Sequence, residues 1–175
     1  MKLRLKDILE YVGIFVAVIG IVWLLDTFVI VNARIPSESM ENTIMTGDRI
    51  IGSRIAYKTG IPHRYDIVIF KYPDDESILY IKRIIGLPGE TVTIRDGKVY
   101  INDSEEPLDD SFTPEIPTGY YGPFNVPGNG YFVMGDNRNN SFDSRFWYTT
   151  CVREDQILGK AIFCYYPFSR FGEIQ

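Results

Sequence analysis

The sequence predicts a mainly β protein fastened to a membrane by one N-terminal helix. Three observations carry this. No residue from Tyr11 to Leu25 is charged, and apolar character resumes from Phe28 to Val31. Beyond residue 34 the chain breaks into short runs rich in Ile, Val, Tyr and Phe, punctuated by Gly and Pro, which is strand-and-turn composition. The length, 175 residues, suits one domain plus an anchor and is short for two full domains.

Taken in order, the first element is the anchor. Residues 11–33 would span about 34 Å as a helix at ~1.5 Å per residue, against a bilayer core of about 30 Å. Lys2, Arg4 and Lys6 precede it, so the positive-inside rule puts residues 1–10 in the cytoplasm and residues 34–175 outside. Asp26 falls in the outward third, near the far interface, where a charge is least costly. A cleavable signal peptide has a shorter apolar region, and removal after "VNA" would leave only a few residues before Ser39. A buried core helix would show an amphipathic stripe, and this run has almost none.

The outer domain reads as strands at "RIIGSRIAY", "YDIVIFKYP", "ILYIKRIIG", "TVTIRDGKVYIN", "YFVMGD" and "ILGKAIFCYYPF". Asp96-Gly97 sits between "TVTI" and "VYIN" and signals a tight hairpin, because Gly accepts positive φ. Residues 103–130, with several prolines and glycines, read as a loop-rich excursion without a long strand. A short helical turn fits only in "SFDSRFWYTTCVREDQI".

Charge and ligand content narrow the function. A balance of 18 basic against 23 acidic residues, net −5, offers no clustered basic face for nucleic acid. One His and two Cys fall short of a structural zinc site, and the chemistry below calls for no cofactor or metal. Cys151 and Cys164 read as half-buried free thiols, since nothing in their spacing demands a disulfide.

Chemistry gathers in three places. In "IPSESMENTI", residues 35–44, Ser37 and Ser39 would point the same way along an extended chain, one as nucleophile and one as hydrogen-bond donor. The alternative is an ordinary serine-rich loop. A serine nucleophile needs a base, and His63, the single imidazole, lies in the turn-like "GIPHRYD" that reads as surface. Lysine serves as base when burial lowers its pKa, and Lys82 interrupts the apolar "ILYIKRIIG". Alternation sends Lys82 and Arg83 to opposite faces; Lys82 could equally guard an edge strand. The third place is "GDNRNNSFDSR", residues 135–145, readable as a capped polar turn or as hydrogen-bonding support for a neutral amine.

Together these motifs resemble the bacterial type I signal peptidases, membrane-bound serine–lysine endopeptidases that remove signal peptides. The resemblance covers nearly the whole chain in order: anchor, "IPSESMENTI", "GDRIIGSR", "RYDIVIFKYP", "YIKRIIGLPGE", "GDNRNNSFDSR" and "ILGKAIFCYYPF". It implies a signal-peptidase/LexA-like fold of coiled antiparallel β-sheets, and the short excursion is similar to the compact Gram-positive type. By the same resemblance, Ser39 is nucleophile and Lys82 general base. Ser37 joins the Ser39 amide in holding the oxyanion, and Ser141 orients Lys82. Asp136 pairs with Arg83 and Asp143 with Arg145 as scaffold. Ile35, Met40, Ile44, Tyr80 and Ile81 wall pockets for small substrate residues at −1 and −3.

The implied partners are signal peptides of exported pre-proteins and the lipid bilayer, with no nucleic acid. Two positions depart from the resemblance: Glu38, where glycine is common, and Asn42, where proline is common. Three rivals remain. A self-cleaving repressor would carry a DNA-binding module and no anchor. The endoplasmic-reticulum type of signal peptidase has histidine where "YIKR" has Lys82. A non-catalytic or pilus-dedicated anchored β-domain would have no need of both Ser39 and Lys82.

Overall fold

In a computed structural model, residues 4–58, 60–113, 115 and 117–174 are described. Lys2 of the basic triad therefore lies outside the described residues. One helix, α1 (Leu5–Phe28), opens the chain, and none of its residues is buried. It is long and apolar enough to cross a membrane. The helix overlaps the expected anchor, residues 11–33, and ends where "TFVIVNARI" turns extended. Leu5, Ile8 and Leu9 extend the helix backwards together with Lys6 and Glu10, which are good helix formers, and Asp7, whose carboxylate sits favourably in the first turn. At the other end the β-branched run Val29–Val31 leaves the helix for strand β1 (Ile30–Arg34).

The strands that follow are β2 (Arg49–Ser53), β3 (Ile67–Tyr72), β4 (Asp75–Gly86), β5 (Thr91–Arg95), β6 (Lys98–Ile101), β7 (Tyr121–Asn125), β8 (Gly130–Met134), β9 (Val152–Arg153), β10 (Ile157–Tyr166) and β11 (Gly172–Glu173). One large sheet runs β1-β2-β10-β3-β4-β8-β9 with β11 beside β10, and a small sheet runs β6-β5-β7. Every pairing is antiparallel. The β5–β6 hairpin turns on Asp96 and Gly97, both at positive φ (50° and 74°), as a tight turn matching strand twist requires.

The excursion differs from its reading in one respect: it contains β7, which completes the small sheet against β5. Pro123 obscured it in the sequence. A proline cannot donate to a ladder, but β7 is an edge strand with one side unpaired, so the proline is tolerated. Short 3-10 turns occur at Arg138–Asn140, Glu154–Gln156 and Phe168–Arg170.

Three apolar clusters hold these sheets together. One gathers Val31, Ile35, Met40, Ile44, Ile50, Ile69 and Ile81, and so fixes the segment after β1 onto the large sheet. A second joins Ile85, Val92, Ile94, Val99, Phe132 and Met134 across the two sheets. The third packs Phe70, Ile84 and Val133 around Trp147. Burying each such side chain is worth roughly 1.5–3 kcal/mol. Cys151 and Cys164 belong to different clusters and are both free.

Candidate active site

The segment after β1 is a bend and turn, not the extended strand expected for residues 37–39. The two hydroxyls still meet: Ser37 Oγ lies 3.3 Å from Ser39 Oγ. Burial of Ile35 and Met40 on either side pins the turn, leaving Ser37 exposed and Ser39 largely covered. Asn42 continues the turn at φ 83°. Proline, locked near −65°, could not adopt this conformation, whereas asparagine tolerates it.

Lys82 comes to the same point from β4, in register with Val68 of β3. Both Lys82 and Arg83 are 4 % exposed, so neither face of this part of β4 reaches solvent. Lys82 Nζ donates to Ser39 Oγ at 2.6 Å and to the Ile81 carbonyl at 3.1 Å. It also lies 5.3 Å from the centre of the Tyr80 ring. Burial pushes the Lys82 pKa down from 10.5 to about 8; the Asp143 and Asp136 carboxylates oppose that fall and Arg145 adds to it. An amine with that pKa is partly neutral near physiological pH, and the neutral form can accept a hydroxyl proton.

Behind the pair stands a scaffold of buried ions. Arg83 meets Asp136 side-on, Nε to Oδ1 at 2.9 Å and Nη2 to Oδ2 at 2.7 Å. Thr43 Oγ1 donates to the same carboxylate at 2.5 Å. Arg145 meets Asp143 in the same way at 2.8 and 2.9 Å. Each carboxylate is thus neutralised, which is how buried charges are carried at acceptable cost.

Ser141 departs from its expected position. Its Oγ donates to Asp143 Oδ2 at 2.7 Å, and among the described residues the hydrogen bonds of Lys82 go to Ser39 and Ile81. Ser141 therefore bears on Lys82 only through Asp143. A Cβ added to Gly135 would collide with Ser141 Oγ and the Ser39 carbonyl, so glycine alone lets the two loops close. His63 is three-quarters exposed, with Nδ1 3.9 Å from Asp66, and takes no part here.

The dyad opens on a groove of about 530 Å³ lined by Pro36, Ser37, Glu38, Ser39, Ile78–Lys82, Asn140 and Phe142. Tyr80 and Ile81, two of the expected pocket walls, line this groove. Ile35, Met40 and Ile44 are not among its walls; they pack in the core with Ile81. Sequence reasoning missed Ile78, Leu79 and Phe142 as walls, along with Thr43 and Gly135. It also missed Arg138, whose guanidinium binds Asp110 at 2.8 and 2.9 Å and whose carbonyl accepts from Arg145. Exposed apolar residues flanking a buried lysine were the available signal. Glu38 ties the two loops: its carboxylate accepts from Asn140 Nδ2 at 2.7 Å and its carbonyl from Asn137 Nδ2 at 3.1 Å.

A family profile described as "Signal peptidase, peptidase S26" matches residues 8–166. Signal peptidase I of Leptolyngbya laminosa is 40% identical over 156 residues, covering 85% of this chain and 74% of that one. Signal peptidase I S of Bacillus subtilis is 35% identical over 175 residues, covering 94% and 92%. A crystal structure of a signal peptidase I from Enterococcus faecalis is 34% identical, with a TM-score of 0.49, covering 58% of this chain and 97% of that one.

Proposed function

The chain belongs to the signal peptidase family, peptidase S26, and from that premise we propose that Ser39 and Lys82 form its catalytic dyad. It is a serine peptidase that removes signal peptides from exported pre-proteins. The observation that carries the dyad is the 2.6 Å contact between Ser39 Oγ and a lysine amine that burial holds well below its ordinary pKa.

Neutral Lys82 takes the Ser39 proton as Oγ attacks the scissile carbonyl. The oxygen then carries negative charge, which the Ser39 amide and the Ser37 hydroxyl stabilise, each donor worth roughly 3–4 kcal/mol in other enzymes. Collapse of the adduct breaks the C–N bond, and protonated Lys82 gives its proton to the departing amine. A water, deprotonated by Lys82, attacks the acyl-enzyme and frees both signal peptide and Ser39. Asp136 with Arg83 and Asp143 with Arg145 hold the geometry, and Ser141 acts through Asp143.

A substrate backbone lying between residues 36–39 and Ile78–Ile81 would pair along strand edges, which gives affinity without reading sequence. Side chains at −1 and −3 then turn towards Tyr80 and Ile81, with Ile35, Met40 and Ile44 filling the space beneath. Small residues fit there, alanine above all, and −2 points outward. The anchor reading places α1 in the bilayer with residues 1–10 cytoplasmic and the β domain outside, so the dyad stands where a signal peptide leaves the membrane.

Cleavage of a precursor with alanine at −1 and −3 tests the assignment. Ser39→Ala and Lys82→Arg should abolish it, because a guanidinium stays protonated, while His63→Ala should cleave normally. Turnover by Lys82→Arg, or loss in folded His63→Ala, would contradict the dyad. Equal cleavage of a precursor with phenylalanine at −1 would contradict the pockets.

A further inference from the structure

A second cavity, about 720 Å³, shares no lining residue with the catalytic groove and abuts the last turn of α1 at Thr27 and Phe28. Its cationic wall is the loop between β2 and β3. Three hydrogen bonds fasten that loop to the end of the helix. The Arg54 amide donates to the Val29 carbonyl at 2.8 Å, Arg54 Nε to the Ile30 carbonyl at 2.8 Å, and Lys58 Nζ to the Phe28 carbonyl at 3.4 Å. Lys58 Nζ also sits 5.7 Å from the Phe28 ring. The loop is therefore level with the end of α1.

Neither Arg54 nor Lys58 pairs with a carboxylate among the described residues. Arg153, also on the cavity wall, is already engaged by Asp155 at 2.9 Å and Glu76 at 3.1 Å. With Glu154 counted, the walls keep a net positive charge although the chain as a whole is −5. The same loop exposes two large apolar side chains, Ile55 at 43 % and Ile61 at 65 %. Exposed isoleucines beside unpaired cations, at the level where an apolar helix ends, are the combination that a headgroup layer accommodates.

We infer that this loop rests on the outer leaflet, with Ile55 and Ile61 entering the headgroup–acyl boundary and Arg54 and Lys58 holding the phosphate of an anionic phospholipid. The inference rests on α1 spanning the bilayer. It gives the anchor a second attachment, which fixes the tilt of the β domain and hence the height of Ser39 above the membrane. A headgroup phosphate near a basic side chain is worth enough to enrich anionic lipid about fivefold per cation.

The test uses the full chain in nanodiscs, with a fluorophore on Gly60→Cys; the native thiols are buried and leave the label unique. Quenching is compared for phosphatidylcholine discs holding the same fraction of brominated phosphatidylglycerol or brominated phosphatidylcholine. The expected result is strong quenching, several-fold greater with phosphatidylglycerol. Lys58→Gln should cut that preference about fivefold while leaving cleavage in detergent unchanged, and Ile55→Ser with Ile61→Ser should weaken quenching by both lipids. Equal quenching by the two lipids would overturn the inference. Abolition of the difference by inorganic phosphate would overturn it too, by revealing a site for soluble anions. Retention of the chain in membranes through alkaline carbonate extraction reports the anchor separately. A retained chain with an unquenched label overturns the loop assignment alone, whereas extraction overturns the anchor and the inference with it.

Discussion

Replacing Lys82 by methionine removes the base and also a buried charge that no carboxylate pairs directly among the described residues. At 4 % exposure the ammonium has lost nearly all its hydration. A fall in pKa from 10.5 to about 8, at about 1.4 kcal/mol per pH unit, makes carrying the proton cost about 3 kcal/mol. Below about pH 8 folded and unfolded chains both bind that proton, so the folded state bears the whole cost. Between about 8 and 10.5 the unfolded chain keeps the proton and the folded chain has released it, so wild-type stability climbs with pH. Methionine is close to lysine in volume and has no charge to lose. The two bonds to Ser39 and Ile81 disappear with the amine, an offset of about 2 kcal/mol at every pH. Lys82→Met should therefore be about 1 kcal/mol more stable than wild type at pH 7 and about 2 kcal/mol less stable above pH 10.5. Guanidinium unfolding of the full chain in micelles, followed by near-ultraviolet circular dichroism of the aromatic core, measures this. A stability difference that stays constant between pH 7 and 10.5 would refute the reasoning, whatever the activity does.

Three further expectations follow from the scaffold. Asp143→Asn removes a carboxylate that raises the Lys82 pKa, so the midpoint of the pH–rate profile should move below about 8 even as the maximal rate falls. Gly135→Ala should lose at least about a hundredfold in rate, because the added Cβ forces Ser39 and Ser141 apart; single-turnover cleavage by the folded variant checks it. Asp136→Ala removes the carboxylate that meets Arg83 side-on in the core and should cost about 3 kcal/mol in denaturant unfolding, most of it recovered by Arg83→Met with Asp136→Leu.

Much of this was legible because it depends on local patterns. The uncharged N-terminal run and the Asp96-Gly97 turn each follow from what a backbone needs in lipid or in a hairpin. Lys82 stood out because an apolar strand with a lysine in it demands a reason. What stayed hidden depends on neighbours distant in sequence. Pro123 argues against β7 until the strand is known to lie at an edge. Ser141 looked like a partner of Lys82 by its place in a motif, yet Asp143 is two residues away and accepts its hydrogen bond instead. Arg138 lies in the stretch readable as a capped polar turn, and only folding brings Asp110 of the excursion against it.

The most direct test of the Ser39–Lys82 dyad is intact-mass and peptide mapping after exposure to a serine-acylating signal-peptide mimic across pH. The account requires one adduct, on Ser39, forming with a rate that rises through about pH 8, absent from Ser39→Ala and from Lys82→Met. An adduct on another residue, or undiminished acylation of Ser39 in Lys82→Met, would contradict it.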